Sequence, residues 1–419
     1  MDNSVFILGG YQTDFSRNFA KEGKNEIALL KETMAMTLKD SGLSKKDLRE
    51  LANAGKAEIF EGNFISELYC KQGHLDGLIS LADEDYYGIP VSRTEAACAS
   101  SSSALDFAIS KIRSGDIDIA VVIGWELMKT VSPKECGDIL GYASYRKEES
   151  QGIAYPFPKL FGRLAEALVE KYHLEKNQFL DDLARISVNN YACAKNNPNA
   201  QTRLWFMDLS QAKMRGTTTN PCYGGMLAVS DFSQVTDGAA GVVICSEKYL
   251  EQRGFSVQST PCVLGYSHKT APMLFSDKMK ESCKDTFILP WTRKTCVEAY
   301  QKAGLSFQDI DVFEVHDCFT SSEYAELACL GFCAPGDEHA VIQNGTFFIN
   351  GAKPINPSGG LIGCGHPVGA SGVRMFLDCY KQVAHKAGSY QIAKAKTAMM
   401  LNIGGSATSN YAFIVGFRK

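Results

Sequence analysis

The feature that most constrains this chain is a weak internal repeat. Met36-Thr-Leu-Lys-Asp-Ser-Gly-Leu-Ser-Lys-Lys-Asp-Leu48 and Glu298-Ala-Tyr-Gln-Lys-Ala-Gly-Leu-Ser-Phe-Gln-Asp-Ile310 share Gly-Leu-Ser-x-x-Asp in register. Each reads as the end of one helix and the start of the next. Gly42 or Gly304 supplies a left-handed C-cap, and Ser44 or Ser306 caps the following turn. A candidate strand comes next in both, Ala57 to Phe60 and Val312 to Val315, and then a polar or reactive loop. Further on, each half has a turn leading into a helix: Ala97-Cys98-Ala-Ser-Ser-Ser-Ser-Ala-Leu in the first, Gly365-His366-Pro-Val-Gly-Ala-Ser-Gly-Val in the second. An apolar strand closes each unit, Ile117 to Gly124 and Thr397 to Ile403. Strands alternating with helices predict a mostly parallel sheet wrapped by helices. A repeat this long is a duplicated domain and not a solenoid. The expectation is two similar α/β halves, each sending a helix N-terminus toward a shared site.

The 419 residues are enough for two core-bearing domains. The halves are expected at 1–254 and 255–419. Between Trp125 and about Tyr223 the pattern changes, with Pro133, Pro156, Pro158, Pro198 and Pro221, amphipathic stretches (Lys159 to Tyr172, Gln178 to Ala194) and few β-branched runs. This reads as an insertion in the first half, about 126–230, placed where the bulk of a ligand would bind. The apolar strand Gly238 to Ser246 then closes the first half, and Pro261-Cys-Val-Leu-Gly-Tyr opens the second.

A formal charge of -4 without a basic stretch argues against nucleic acid as a partner. No apolar run reaches the ~18 residues that span a bilayer. Met1-Asp2-Asn3-Ser4-Val5-Phe6-Ile7-Leu8 reads as a first strand and not as a signal peptide. The last residues, Val415-Gly-Phe-Arg-Lys419, do not read Ser-Lys-Leu. Cytoplasm is the expected location, with mitochondrion or peroxisome by an unrecognised signal as the alternative.

Fourteen cysteines without a CxxC pair suggest reduced, mostly buried thiols. Cys329 and Cys333 sit four apart with neither a second pair nor a His cluster nearby, so no zinc site, and no metal, is expected. Four segments stand out chemically. Cys98 has small neighbours and precedes the helix pattern Ala104, Leu105, Ala108, Ile109, Ile112. A helix N-terminus lowers a thiol's pKa, which would favour a nucleophile, although a buried core cysteine fits the segment equally well. His366 lies in Gly359-Gly-Leu-Ile-Gly-Cys-Gly-His-Pro-Val-Gly-Ala-Ser-Gly372, where six glycines imply tight turns and a close ligand. Pro367 suits the first helical position beside it, and the imidazole would serve as base or donor. His316-Asp-Cys-Phe319 follows the strand Val312-Phe-Glu-Val315, at the strand end where α/β folds bind ligands. Leu401-Asn402-Ile403-Gly404-Gly405-Ser406-Ala407 runs a strand into glycines, offering backbone N–H groups of the kind an oxyanion hole requires.

In this order and spacing, the four segments resemble the thiolase superfamily over essentially the whole chain. His316-Asp-Cys-Phe319, in place of Asn-Glu-Ala-Phe, resembles its sterol-carrier-protein type, as do Met1 to Asp14, Glu61-Gly-Asn-Phe-Ile-Ser-Glu67, Gln72-Gly-His74 and Pro156-Phe-Pro-Lys-Leu-Phe161. The resemblance implies an α/β thiolase fold, with two duplicated halves forming a five-layered α-β-α-β-α sandwich. It implies an acyltransferase that cleaves 3-ketoacyl-CoA with free CoA, or runs the reverse Claisen condensation with acetyl-CoA. Cys98 would be acylated and His366 would activate it. His316 and His366 would form one oxyanion hole, and Gly404 with the Cys98 amide the other. Typical thiolases carry a second catalytic cysteine in a Cys-x-Gly segment, where this chain has Asn402, so the proton transfer at the substrate α-carbon falls to Cys318. Coenzyme A is then a substrate, with no other cofactor. A homodimer is implied, and a partner protein is a further possibility.

Two alternatives share the fold: a catalytically weak acyl-CoA-binding subunit working with a partner protein, and a ketosynthase-like condensing enzyme. Of the other histidines, His268 beside Lys269 is expected to line the ligand channel. Gly365 is expected to contact substrate, His74 to border the site, and His173, His339 and His385 to lie at the surface.

Overall fold

The computed structural model of the chain describes residues 4–418. Met1, Asp2, Asn3 and Lys419, which enter the two terminal readings above, lie outside the described residues. The strands, in chain order, are β1 (Val5–Gln12), β2 (Ala57–Gly62), β3 (Val91–Thr94), β4 (Ile119–Leu127), β5 (Cys222–Gly224), β6 (Leu227–Ala228), β7 (Asp237–Ser246), β8 (Cys262–Thr270), β9 (Val312–Glu314), β10 (Thr397–Gly404) and β11 (Ser409–Gly416). β5 and β6 form a small hairpin, and the other nine lie in the order β3-β2-β4-β7-β1-β8-β11-β10-β9. The first five belong to the first half of the chain and the last four to the second. The halves join edge to edge through one short contact, where Phe6 pairs with Cys262 and Ile7 N–H donates to Pro261 O at 2.9 Å.

Side-chain alternation explains the layers. In β4 and β7, Val121, Ile123 and Val243 face one core with Leu30, Met34 and Leu38 of the helix Glu26–Ser41. Val122, Val242 and Ile244 face the other, with Leu105 and Ile109 of the helix Ser100–Ser114. Every residue of β4 is buried, because both faces are covered. Each fully buried Val or Ile contributes roughly 1.5–3 kcal/mol relative to an exposed one. In the second half, the helix Pro290–Ala303 lies so close to β8 that a Cβ on Gly265 would sit 2.4 Å from the Ala299 carbonyl. On the opposite face, Phe413 of β11 meets Phe376 of the helix Ser371–Val383 edge-on, centroids 5.8 Å apart. The helices Ser100–Ser114 and Ser371–Val383 pack against each other between the half-sheets, and the second touches strands of both. The result is the five-layered α-β-α-β-α order.

The strand directions depart from the expected mostly parallel sheet. Only β2–β3, β2–β4 and β9–β10 run parallel. β4–β7, β7–β1, β1–β8, β8–β11 and β11–β10 are antiparallel. β11 returns directly from β10 through a tight turn, which only an antiparallel pair permits. The expected parallel crossovers hold only where a helix intervenes.

The repeat is visible in the caps. Gly42 and Gly304 close their helices at φ 67 and 62. Ser44 makes a capping box with Asp47, and Ser306 one with Asp309. Between β4 and β7 lie the helices Pro133–Leu140, Pro156–Tyr172 and Lys176–Ala194. Pro133 and Pro156 occupy the first turn of theirs, where a missing N–H costs nothing.

Candidate active site

Cys98 is delivered by a sharp turn. After β3 the chain reaches Ala97 at φ 52, a left-handed conformation that costs an alanine roughly 1–2 kcal/mol. Neighbours hold it there: Ala97 N–H donates to Glu95 Oε1 at 2.5 Å, while Ser100 Oγ accepts from Ala96 N–H at 3.0 Å and donates to Ala97 O at 2.7 Å. The 3-10 turn Ala97–Ala99 then feeds the helix Ser100–Ser114. The small residues that follow Cys98 serve helix packing. A Cβ on Gly62 would fall 2.3 Å from Ser101 Cα, and one on Gly372 would fall 2.5 Å from Ser102 N. Ser101 Oγ accepts from Val373 N–H at 3.0 Å, tying the nucleophile's helix to that of the second half.

Around the thiol are two backbone amides, those of Cys98 itself and of Gly405. Gly404, the expected oxyanion residue, stands one position before Gly405. Gly404 lets β10 end against the Ala96 carbonyl, 2.1 Å from where a Cβ would stand, and its neighbour at φ 62 turns the amide toward sulfur.

The histidines arrive from the second half. β9 and β10 run parallel with Glu314 beside Met400, so two residues on, His316 comes to lie beside Asn402. Asn402 Nδ2 approaches His316 Nδ1 at 2.8 Å, and His316 N–H donates to Glu326 Oε2 at 3.0 Å. Asp317 accepts from the backbone of Leu361 and Ile362 at 2.5 and 3.1 Å, locking this loop to the glycine-rich one. There, Gly365 takes φ 116, and His366 N–H donates to Thr236 Oγ1 at 3.0 Å. Pro367 does not open the long helix. A 3-10 turn, Val368–Ala370, intervenes and the helix starts at Ser371. Ser371 Oγ donates to Pro367 O at 3.0 Å and so accepts from His366 Nδ1 at 2.6 Å, leaving Nε2 of His366 with a free lone pair.

The two imidazoles meet edge to face, centroids 5.3 Å apart. One ring nitrogen of each and Cys98 Sγ lie within 4.8 Å of one another. Both Nε2 atoms are buried with no hydrogen-bond partner in the protein. Cys98, His366 and Cys318 line a single cleft of about 190 Å³. Its walls come largely from the insertion, with Leu140, Ala143, Tyr155 and Phe157, and from Phe232, Val235 and Phe319. Ser233 N–H donates to Cys318 O at 3.0 Å, so this wall and the thiol loop are one unit.

The chain matches the family model of the thiolase N-terminal domain over residues 5–203 and that of the thiolase C-terminal domain-like group over 275–417. It is 30% identical to the acetyl-CoA acetyltransferase of Methanothermobacter thermautotrophicus, with 96% of each chain covered. The chain belongs to the thiolase family. It is 27% identical to rat sterol carrier protein 2, over 99% of this thiolase and 72% of that protein. Among solved structures, an Ltp2-ChsH2(DUF35) aldolase shares its fold with a TM-score of 0.76 at 19% identity, covering 99% of this chain and 98% of that one. As a member of the family, this thiolase is an acyltransferase.

Electrostatics revise one expectation for the thiolase. Burial pushes the Cys98 thiol up to about 12, and the two amides only partly oppose it, so the site's depth outweighs the helix N-terminus. Burial also drives Cys318 well above the usual thiol range, with the nearby Cys98 adding to it. His366 is brought down to about 3 by burial and the Arg374 guanidinium. His316 is held well below its ordinary value by burial, by His366 and by Arg374. Burial therefore favours neutral thiols and neutral imidazoles at rest. Iodoacetamide should alkylate Cys98 at a rate that climbs steadily from pH 7 to 10, followed by mass spectrometry with exposed Cys222 and Cys283 as internal references. A plateau below pH 7 would instead mean a thiolate–imidazolium pair at rest.

Other expected residues lie elsewhere in the thiolase. His268 is absent from the cleft lining and stacks on Tyr411, ring centroids 4.0 Å apart. Gly365 orients His366, and a Cβ there would meet Thr236 at 3.0 Å. His74 is largely exposed and faces a separate surface groove with Asp76 and Tyr86. His173 and His385 are exposed, whereas His339 pairs with the buried Asp182 at 2.9 Å. Cys329 points at the Leu289 carbonyl, 3.6 Å away. Sequence reasoning missed Ser371, Arg374, Glu326 and the aromatic cleft walls. The one available signal was Asn402, a lone amide in an otherwise apolar strand.

Proposed function

We propose that this thiolase transfers acyl groups between CoA and the α-carbon of acetyl-CoA, cleaving 3-ketoacyl-CoA with free CoA or condensing in reverse. The observation that carries this reading is the convergence of Cys98, Cys318 and His366 on one apolar cleft, with the buried His316 ring against His366 and within reach of the Cys98 sulfur. In the cleavage direction, Cys98 passes its proton to His366 Nε2 while Sγ bonds to the keto carbon. The amides of Cys98 and Gly405 receive the resulting oxyanion. The bond between the keto carbon and the α-carbon then breaks. The electron pair stays on the departing acetyl-CoA enolate, whose oxygen faces the imidazoles. Cys318 donates its proton to that α-carbon, and high thiol pKa values suit a group that must be protonated to act. The thiol of free CoA next gives its proton to the Cys318 thiolate and attacks the acyl-Cys98 carbonyl; Cys98 leaves, regains the proton held by His366, and the shortened acyl-CoA is released. Coenzyme A acts here as a substrate, with no further cofactor in the scheme.

The acyl portion takes the cleft of about 190 Å³. A cavity of ~150 Å³ holds benzene, so a short to medium apolar chain or a single ring suits this space. The test is an assay of purified protein with acetoacetyl-CoA and longer 3-ketoacyl-CoA, each with free CoA. No thiolysis of any chain length would sink the reading. Ala143→Leu should lower kcat/KM for the longer substrates relative to acetoacetyl-CoA by about tenfold or more, since a methylene's worth of lost space is ~1–3 kcal/mol in an apolar pocket. An unchanged ratio would place the acyl chain elsewhere.

As an assembly, the proposal is a homodimer. β3 is an edge strand of the sheet, and an unpaired edge favours pairing with a second copy. The similar fold of an aldolase named as a two-component complex favours a second reading, a subunit completed by another protein. Full thiolysis by the isolated chain would exclude it. Among the described residues no helix is long and apolar enough to cross a membrane.

A further inference from the structure

We infer that Asn402 is a positioning residue that fixes the tautomer of His316, so that Nε2–H, and not a lone pair, faces the reacting thioester. This deepens the reading above by assigning a task to the position where typical thiolases carry their second cysteine.

Three buried neighbours surround the Asn402 amide. The Cys98 carbonyl lies 3.3 Å from Nδ2, His316 Nδ1 lies 2.8 Å from Nδ2, and Ser102 Oγ donates to Oδ1 at 2.6 Å. A carbonyl oxygen only accepts, so the Cys98 carbonyl requires the amide nitrogen on its side. The flipped amide would set its own oxygen against the Cys98 carbonyl oxygen, a repulsive contact that a proton on His316 Nδ1 would only partly offset. With the nitrogen so placed, its second hydrogen points at His316 Nδ1, which must accept. A neutral imidazole that accepts at Nδ1 carries its proton on Nε2. That Nε2 is buried and has no partner in the protein. An unpaired buried donor costs roughly 1–3 kcal/mol, a cost relieved when an enolate oxygen arrives to accept.

His366 is set the other way. Its Nδ1 donates to Ser371 and its Nε2 is the acceptor. Asn402 and Ser371 thus divide the labour between two chemically identical side chains, one made a donor and the other a base.

The test has two parts. Selective 15N labelling of the histidine rings in the resting protein should show His316 protonated at Nε2, with its signals assigned by their loss in His316→Asn. The variant Asn402→Asp, of equal size, replaces the donor by an acceptor and should move the proton to Nδ1. Thiolysis of acetoacetyl-CoA should then fall by ~10²–10³-fold, the usual loss for one oxyanion donor. Exchange of labelled CoA into acetyl-CoA, which uses Cys98 but forms no enolate, should fall by less than tenfold. An Nδ1-protonated His316 in the unsubstituted protein would overturn the inference without any variant. So would an equal loss of both reactions in Asn402→Asp, because an amide that serves only packing would disturb both alike. If the unsubstituted protein shows the expected tautomer but no thiolysis, the proposed function fails and the assignment of Asn402 to His316 stands.

Discussion

Replacing Cys98 by alanine is expected to lower kcat for acetoacetyl-CoA thiolysis by at least ~10⁴-fold, the scale seen when a nucleophile is removed and only binding and oxyanion donors remain. The expectation follows from geometry. Cys98 lines the cleft, and its Sγ lies within 4.8 Å of an imidazole nitrogen in each histidine. The substitution should leave the fold intact, because the turn at Ala97 is held by Glu95 and Ser100, not by the sulfur. The checks are steady-state rate and intact-mass spectrometry after incubation with acetyl-CoA, which should show no acetyl adduct. Turnover within tenfold of the unsubstituted protein would remove Cys98 as the nucleophile. The second thiol cannot replace it. Burial holds the Cys318 thiol well above the usual range, with hydrogen-bond help from the Ser322 side chain, whereas two backbone amides, of Cys98 and Gly405, reach the Cys98 sulfur.

Cys318→Ala is expected to separate the two halves of the reaction. Cleavage and condensation should drop by ~10²–10⁴-fold, the range for removing a general acid–base group. The acetyl adduct on Cys98 should still form from acetyl-CoA. Cys318 lines the same cleft as Cys98, and the nearby Cys98 sulfur adds to the cost of ionising Cys318, which keeps it protonated and ready to donate. If both steps persist in this variant, the proton must come from elsewhere. Asn402 is a poor substitute, since both amide hydrogens are engaged by the Cys98 carbonyl and His316.

Much of the architecture was legible because the duplicated caps at Gly42–Ser44 and Gly304–Ser306 survive in both halves. Strand direction was not, for a physical reason. A strand buried on both faces, such as β4 or β7, is largely apolar along its length, and hydropathy carries no arrow. The four reactive segments were visible through their glycines and the isolated Cys and His residues. Their electrostatics were not. A thiol before a helix looks activated on paper, but depth below the surface is a tertiary property, and at Cys98 it dominates. Supporting groups such as Ser371 and Glu326 sit in ordinary helical contexts. Nothing local distinguishes a serine that orients an imidazole from one that caps a turn. Asn402 was the exception, because a polar side chain in a strand with seven of eight residues buried needs partners.

The absence of a side chain at Gly372 has a broader effect. Where that residue rests on Ser102, the arms bearing sulfur and base are separated by the thickness of bare main chain. Even one methyl group would act as a wedge there, and the sulfur-to-imidazole spacing would widen with it. After duplication the two copies were free to diverge almost anywhere, but at this point of contact neither can thicken unless the other yields.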